Sequence, residues 1–150
     1  MNIQRVKYVV TAIREEFVEH VVKNNLSFQI DRLGGACGIC SYLVFRALKE
    51  MGLKPVFHMN DCHCYVTWNG YYIDLTLKQF AGCADEVFFQ DHPYRIESTS
   101  FGFVHRPGKT ATTEAQLQRM FRGWMDEHNP FQQKVPLFET LPLTKAKRVL

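Results

Sequence analysis

Three residue types that together can attack a carbonyl group lie in the first half of this 150-residue sequence: Cys37, His63 and Asp74. A cysteine attacks as its thiolate, and a histidine exchanges protons close to neutral pH. A carboxylate can orient the histidine ring and stabilise its charged form. In chain order, the three residues would be a nucleophile, a base and an orienting acid. The elements that carry them must then bring them together.

The residues around Cys37 predict that this cysteine opens a helix. Gly34 and Gly35 permit a sharp turn before it, and Gly52 supplies a C-terminal cap. Between them, apolar side chains recur at helical spacing, at Cys40, Leu43, Val44, Ala47, Leu48 and Met51. Backbone N–H groups at a helix N-terminus favour a thiolate and can also stabilise the oxyanion of a tetrahedral intermediate. This position would therefore serve both catalytic needs.

The spacing of His63 and Asp74 predicts a pair on one face of a β-hairpin. Asn69-Gly70 is a strong signal for a two-residue loop between two strands. The predicted opposite pairs are Trp68 with Tyr71, Thr67 with Tyr72, Val66 with Ile73, Tyr65 with Asp74 and His63 with Thr76. Asp74 is then the diagonal neighbour of His63, at a Cβ separation of about 7–8 Å or less, which a hydrogen bond between the side chains can close.

The strings that carry these residues resemble a known family. Arg32 to Cys37 read R-x-G-G-x-C, and H-x-x-V from His63 and G-x-x-x-D ending at Asp74 follow the apolar helix. This order is similar to the core of the transglutaminase-like branch of the papain-like cysteine protease and acyltransferase superfamily. Arylamine N-acetyltransferases share a very similar Arg-Gly-Gly-x-Cys start. The resemblance implies Cys37 as nucleophile, His63 as general base and Asp74 as acid, on a papain-like fold.

The nucleophile and the base each have an alternative. Cys-Gly-Ile-Cys, from Cys37 to Cys40, also resembles the Cys-Gly-Ser-Cys of papain-type proteases, in which the second cysteine attacks. We favour Cys37, because Gly-Gly precedes it closely and its distance from Gly52 fits the transglutaminase-like pattern. His58 replaces His63 if the hairpin register shifts by one residue, since such a shift exchanges the two faces of a strand.

A zinc site is the alternative of a different class. Cys37 and Cys40, with Cys62, His63 and Cys64, offer enough ligands for a tetrahedral structural site. Neighbouring strand residues alternate faces, however, so only Cys62 with Cys64, or His63 alone, could point to one metal. We therefore expect catalysis with neither metal nor cofactor. A third interpretation is an inactive binding module of the same fold, whose cysteines react no faster than buried thiols.

The remaining pattern predicts a single α+β domain over residues 1–150, with a central helix packed on an antiparallel sheet. An amphipathic helix is predicted from about Ile3 to Val22, and another around Leu117, Met120, Phe121 and Trp124 with Thr112 or Thr113 as cap. Predicted strands are Lys54 to Met59, Cys62 to Trp68, Glu86 to Phe89, Tyr94 to Glu97 and Phe101 to Val104. From about Phe131 onward we expect an extended, mobile tail.

Composition narrows the class of partner. The net charge is only +3, and the basic residues are scattered except for Lys145, Lys147 and Arg148 near the C-terminus. Nucleic-acid binding needs a denser basic face, so we do not expect it. No apolar run approaches the roughly 20 residues that cross a bilayer, and the N-terminus lacks the layout of a signal peptide. We expect a cytoplasmic hydrolase or acyltransferase that acts on a peptide, a glutamine side chain or a small amide.

Overall fold

Three helices and a four-stranded antiparallel sheet make up the part of the chain that the structure describes, so the fold class is α+β. The computed structural model describes residues 2–26, 36–60, 63–79, 83–95, 104–106 and 112–127. The helices are α1 (Ile3–Lys23), α2 (Cys37–Glu50) and α3 (Glu114–Glu127), and a 3-10 helix covers Leu77–Gln79. The strands are β1 (Val56–Met59), β2 (Cys64–Trp68), β3 (Tyr71–Asp74) and β4 (Phe88–Gln90).

The sheet is a meander in which each strand pairs with its neighbour in sequence. Asn69 and Gly70 form the loop between β2 and β3, with φ angles of 50° and 81°. Positive φ at both positions is what a type I′ turn needs. The observed pairs are Trp68 with Tyr71, Thr67 with Tyr72 and Val66 with Ile73. The hairpin register predicted from the sequence is therefore confirmed in β2 and β3.

Helix α2 begins at Cys37, as predicted, with Ala36 at the N-cap. Its C-terminus is closed by Gly52, at φ 80°. The Gly52 N–H donates to the Lys49 carbonyl at 2.9 Å and the Leu53 N–H to the Leu48 carbonyl at 3.0 Å. These are the two bonds of a Schellman motif. The glycine turn at Gly34 and Gly35 and the start of the R-x-G-G-x-C string lie outside the described residues.

The apolar face of α2 is held between the other helices and the sheet. Its buried side chains share one core cluster with those of α1, β1 and β2. Helix α3 packs on α2 through Phe121, whose ring stacks on Tyr42 with 4.8 Å between centroids. Thr113 and Gln116 form a capping box at the start of α3, because each side-chain oxygen accepts the other residue's backbone N–H, at 3.2 and 2.9 Å. This packing fixes where the N-terminus of α2 meets the sheet.

The predictions for the second half of the chain hold in part. Strand β4 pairs with β3, so the predicted extension of the sheet is confirmed there, at residues 88–90. Tyr94, the start of another predicted strand, lies in irregular backbone, and Arg95 forms only an isolated bridge. The reason is that the Tyr94 N–H donates to the ring of His105. Residues 96–103, including most of the last predicted strand, and the predicted tail lie outside the described residues.

Candidate active site

His63 and Asp74 meet as the hairpin register predicted. The His63 ring donates from Nε2 to Oδ2 of Asp74 at 2.6 Å, and both side chains are buried. The other carboxylate oxygen, Oδ1, accepts the backbone N–H of Thr76 at 3.0 Å and its hydroxyl at 3.3 Å. Since Nε2 is committed to Asp74, Nδ1 is the ring nitrogen through which His63 can exchange a proton with another group.

A second histidine, His105, contacts the same carboxylate and was missed in the sequence. Its Nε2 lies 2.8 Å from Oδ2 of Asp74, and its Nδ1 accepts the Tyr94 backbone N–H at 2.9 Å. No periodicity, hairpin spacing or motif singles out His105, which lies 31 positions after Asp74. The only local signal was its place just before Arg106-Pro107-Gly108, a chain break that predicts a loop and no chemistry.

Asn60 explains how both histidines reach one carboxylate. Its side-chain amide donates to the carbonyls of Val104 and Arg106, each at 3.0 Å. These two bonds fix the backbone on both sides of His105. Its amide oxygen accepts the His63 backbone N–H at 2.9 Å, and its own N–H donates to the His63 carbonyl at 3.0 Å. One side chain between β1 and β2 thus links the two backbones that carry the histidines.

Cys37 lies at the first position of α2, half-buried, within hydrogen-bonding reach of Cys64 and His63. The hydrogen bond with Cys64 lowers the pKa of the Cys37 thiol, burial opposes this, and the hydrogen bond and charge of His63 lower it further. The same Cys37–Cys64 bond, together with burial, raises the pKa of Cys64. His63 lowers the pKa of Cys37, which favours Cys37 over Cys64 as the thiolate of the pair.

The charges of His63 and Asp74 support each other. Burial by itself lowers the pKa of His63, but the Asp74 carboxylate and Cys37 outweigh it and raise the pKa to about 10. Burial would raise the pKa of Asp74, but His63 and His105 outweigh it and bring the pKa to about 2. The lowered pKa of Cys37, the raised pKa of His63 and the lowered pKa of Asp74 all favour the charged forms of these three neighbouring groups.

The alternative nucleophile and the alternative base have different surroundings. Cys40 is 1% exposed in the core, and burial raises the pKa of its thiol, which makes it a poor nucleophile. His58 hydrogen-bonds the Thr67 hydroxyl at 2.7 Å and stacks on Tyr65, and burial lowers its pKa. These contacts occupy His58 on β1 instead of directing it at Asp74.

The structure brings together part of the zinc ligand set considered above. Cys37, His63 and Cys64 are neighbours, Cys40 is turned into the core, and Cys62 lies outside the described residues. Strand alternation was expected to separate Cys64 from His63, but His63 precedes β2, so Cys37 can reach both.

In the described part of the chain, a different group of residues could hold a metal ion: His63, Asp74 and His105. Each offers one ligand atom, and these three atoms lie within 4.8 Å of one another. Metal ligation by a neutral imidazole needs a bare nitrogen lone pair. The Tyr94 N–H occupies the lone pair of His105 Nδ1, so the ring proton of the neutral form is on Nε2, the atom that faces the group. This arrangement suits a hydrogen-bond relay better than a metal site.

Comparison of the chain with family models, curated proteins and solved structures gave no match. Among the described helices, none is long and apolar enough to cross a membrane.

Proposed function

We propose that this protein is a cysteine-dependent hydrolase or acyltransferase that acts on an amide-type carbonyl. Cys37 is the nucleophile, His63 carries the proton and Asp74 orients His63. The observation that supports this most strongly is the buried hydrogen bond between His63 and Asp74, with His63 also interacting with the Cys37 thiol at the start of α2. The lowered pKa of Cys37 and the raised pKa of His63 make these residues a nucleophile and an acid before substrate arrives.

We further propose that the core is papain-like, in the transglutaminase-like branch. A cysteine at the start of the central helix packs against an antiparallel sheet whose hairpin carries the histidine and the acid, in the order Cys, His, Asp. That order and those element types agree with the resemblance in the R-x-G-G-x-C, H-x-x-V and G-x-x-x-D strings. Fold likeness alone does not assign a substrate. The chemistry of Cys37, His63 and Asp74 is what limits the class of reaction.

In the first step, the Cys37 thiolate attacks the carbonyl carbon and forms a carbon–sulfur bond. The carbonyl oxygen becomes an oxyanion, which the N–H groups in the first turn of α2 can stabilise, because they have no partner within the helix. His63 then gives its proton from Nδ1 to the leaving nitrogen, and the carbon–nitrogen bond breaks. The products are an amine or ammonia and a thioester on Cys37.

In the second step, His63 is neutral and takes a proton from the acceptor as the acceptor attacks the thioester. The carbon–sulfur bond breaks, and Cys37 returns as a thiolate beside protonated His63. With water as the acceptor, the product is a carboxylic acid, as in a protease, amidase or deamidase. With a primary amine as the acceptor, the product is a new amide, as in a transglutaminase-like transferase.

A peptide mixture tests this proposal without a known substrate. The purified protein is incubated with glutamine-containing peptides and a fluorescent primary amine, and ammonia release, peptide cleavage and amine incorporation are measured. We expect at least one of these in the wild type, none in Cys37→Ala, and wild-type levels in the stably folded control Cys40→Ala. Stoichiometric zinc in the purified protein that is lost in Cys37→Ser would contradict the nucleophile assignment and support the zinc-site alternative.

A further inference from the structure

We propose that His105 is a positioning residue of this site, which holds Asp74 as a charged acceptor aimed at His63. The inference rests on the proposed function, because it assigns a fourth member to the same relay. It is carried by the geometry around one buried carboxylate and by the fixed direction of the hydrogen bond from His105.

The carboxylate of Asp74 has its full complement of donors. Oδ2 accepts from Nε2 of His63 at 2.6 Å and from Nε2 of His105 at 2.8 Å. Oδ1 accepts two hydrogen bonds from Thr76. A carboxylate has about four lone-pair positions. With all four used and the residue 2% exposed, the side chain of Asp74 can neither rotate nor turn toward water.

The two histidines that contact Oδ2 of Asp74 differ in whether they can transfer a proton. His63 interacts with Cys37 as well as with Asp74, and since its Nε2 is bound to Asp74, a proton on its Nδ1 can move to a substrate. Nδ1 of His105 accepts the Tyr94 backbone N–H at 2.9 Å, which fixes the proton of the neutral ring on Nε2. His105 is therefore a donor with one direction only. It can hold Asp74, but it has no second nitrogen with which to pass a proton onward.

The surroundings of His105 keep this donor in place. Its ring stacks on Tyr72, with 5.6 Å between centroids and 13° between planes, and lies 4.6 Å from the ring of Tyr65. Phe88 meets it edge-on at 5.3 Å. Asn60 holds the backbone on both sides of it. Because His105 is 1% exposed, water cannot replace its hydrogen bond to Asp74.

Two substitutions separate the contacts of His105. The amide nitrogen of a glutamine can occupy the place of His105 Nε2, so His105→Gln keeps a donor to Asp74 and loses the acceptor for Tyr94. The amide oxygen of an asparagine can occupy the place of Nδ1, so His105→Asn keeps the acceptor for Tyr94 and loses the donor to Asp74. A positioning role through Asp74 predicts that the glutamine variant resembles the wild type. A role only in holding the segment around Tyr94 predicts the reverse.

The readout is the rate at which iodoacetamide alkylates Cys37 as a function of pH. We expect His105→Asn to move the acid limb of the profile up by about one pH unit, as for the loss of one hydrogen bond to a charged group. Below the Cys37 pKa of about 4, the rate should therefore fall about tenfold. We expect His105→Gln to retain most of the wild-type rate, with the acid limb of its profile at the same pH as in the wild type. Equal rates in all three proteins, or equal losses in both variants, would overturn the inference.

The same data separate this inference from the proposed function. If Cys37 of the wild type is not alkylated selectively, or if His63→Ala leaves its rate unchanged, the proposed function fails whatever His105 does. If Cys37 is alkylated selectively and His63→Ala slows it, but His105→Asn and His105→Gln react alike, only the proposed role of His105 is wrong.

A measurement on the unaltered protein decides the question if a variant does not fold. Long-range proton–nitrogen NMR correlations should show the ring of His105 with its proton on Nε2 and a bare Nδ1. A proton on Nδ1 would contradict the fixed donor direction.

Discussion

Nε2 of His63 lies 2.6 Å from Oδ2 of Asp74, although the two residues are diagonal and not opposite neighbours in the hairpin. The short distance, in a buried setting, joins a histidine whose pKa is raised to a carboxyl group whose pKa is lowered. Because Nε2 is bound to Asp74, Nδ1 is the ring nitrogen through which His63 can exchange a proton with another group.

Replacement of Asp74 by asparagine should lower the pKa of His63. The carboxylate is the strongest influence that raises this pKa, to about 10, against the opposing effect of burial. We expect a fall of roughly 1–3 units, the usual influence of one nearby opposite charge. NMR titration of the His63 ring measures it, with Asp126→Asn on the exposed side of α3 as the matched control. An unchanged pKa in Asp74→Asn would show that the pair carries no charge.

The thiol of Cys64 should lower the pKa of the Cys37 thiol. Its hydrogen bond is the largest influence that lowers the pKa of Cys37. In Cys64→Ala the donor is lost, so the pKa of Cys37 should rise, by about one unit or more for one hydrogen bond to a charged sulfur. In Cys64→Ser a hydroxyl can replace the donor, and the rise should be smaller. Thiolate absorbance followed against pH measures both, and equal values in the two variants would argue against the hydrogen bond.

The raised pKa of His63 should make stability depend on pH in a stated direction. Its folded-state pKa of about 10 lies above the ordinary value of 6.5, so its contribution is fully present below pH 6.5 and lost as the pH rises through 10. Cys37, with a lowered pKa, has the opposite dependence, so the effect is isolated in a Cys37→Ala background. In that background the His63 pKa loses the contribution of Cys37 and lies below 10, but Asp74 still raises it above 6.5. Stability should therefore fall from pH 6.5 up to that pKa by up to about 1.4 kcal/mol per pH unit.

Urea unfolding of Cys37→Ala at several pH values between 6 and 10 measures this slope. The control is Cys37→Ala with His63→Gln, which removes the titrating group and keeps a polar side chain of similar reach. The difference in unfolding free energy between the two variants should shrink steadily as the pH rises. A constant difference would mean that His63 binds its proton equally well in the folded and unfolded chains.

Local rules predicted the elements that carry Cys37, His63 and Asp74. The start of α2 at Cys37 and its close at Gly52 follow from apolar spacing and from glycine's tolerance of positive φ. The hairpin register follows from Asn69-Gly70, because a two-residue loop leaves one pairing. These signals are short-range, so one sequence is enough to read them.

The support around Asp74 could not be predicted in the same way. His105 reaches Asp74 because Asn60 binds the carbonyls of Val104 and Arg106, more than forty residues away. The contact of Cys64 with Cys37 depends on how α2 lies over the start of β2. Such contacts are set by tertiary packing, which leaves no period or spacing in the sequence.

The most direct test of the central claim is site-resolved alkylation by iodoacetamide at pH 6, followed by mass spectrometry. The thiolate of Cys37 should react at least about tenfold faster than Cys40 or Cys64, since only the thiolate attacks and their pKa values are raised. His63→Ala should slow Cys37 markedly, whereas His58→Ala, which removes the alternative base, should not. Slow and uniform alkylation of all five cysteines, unaffected by His63→Ala, would contradict an activated nucleophile at Cys37.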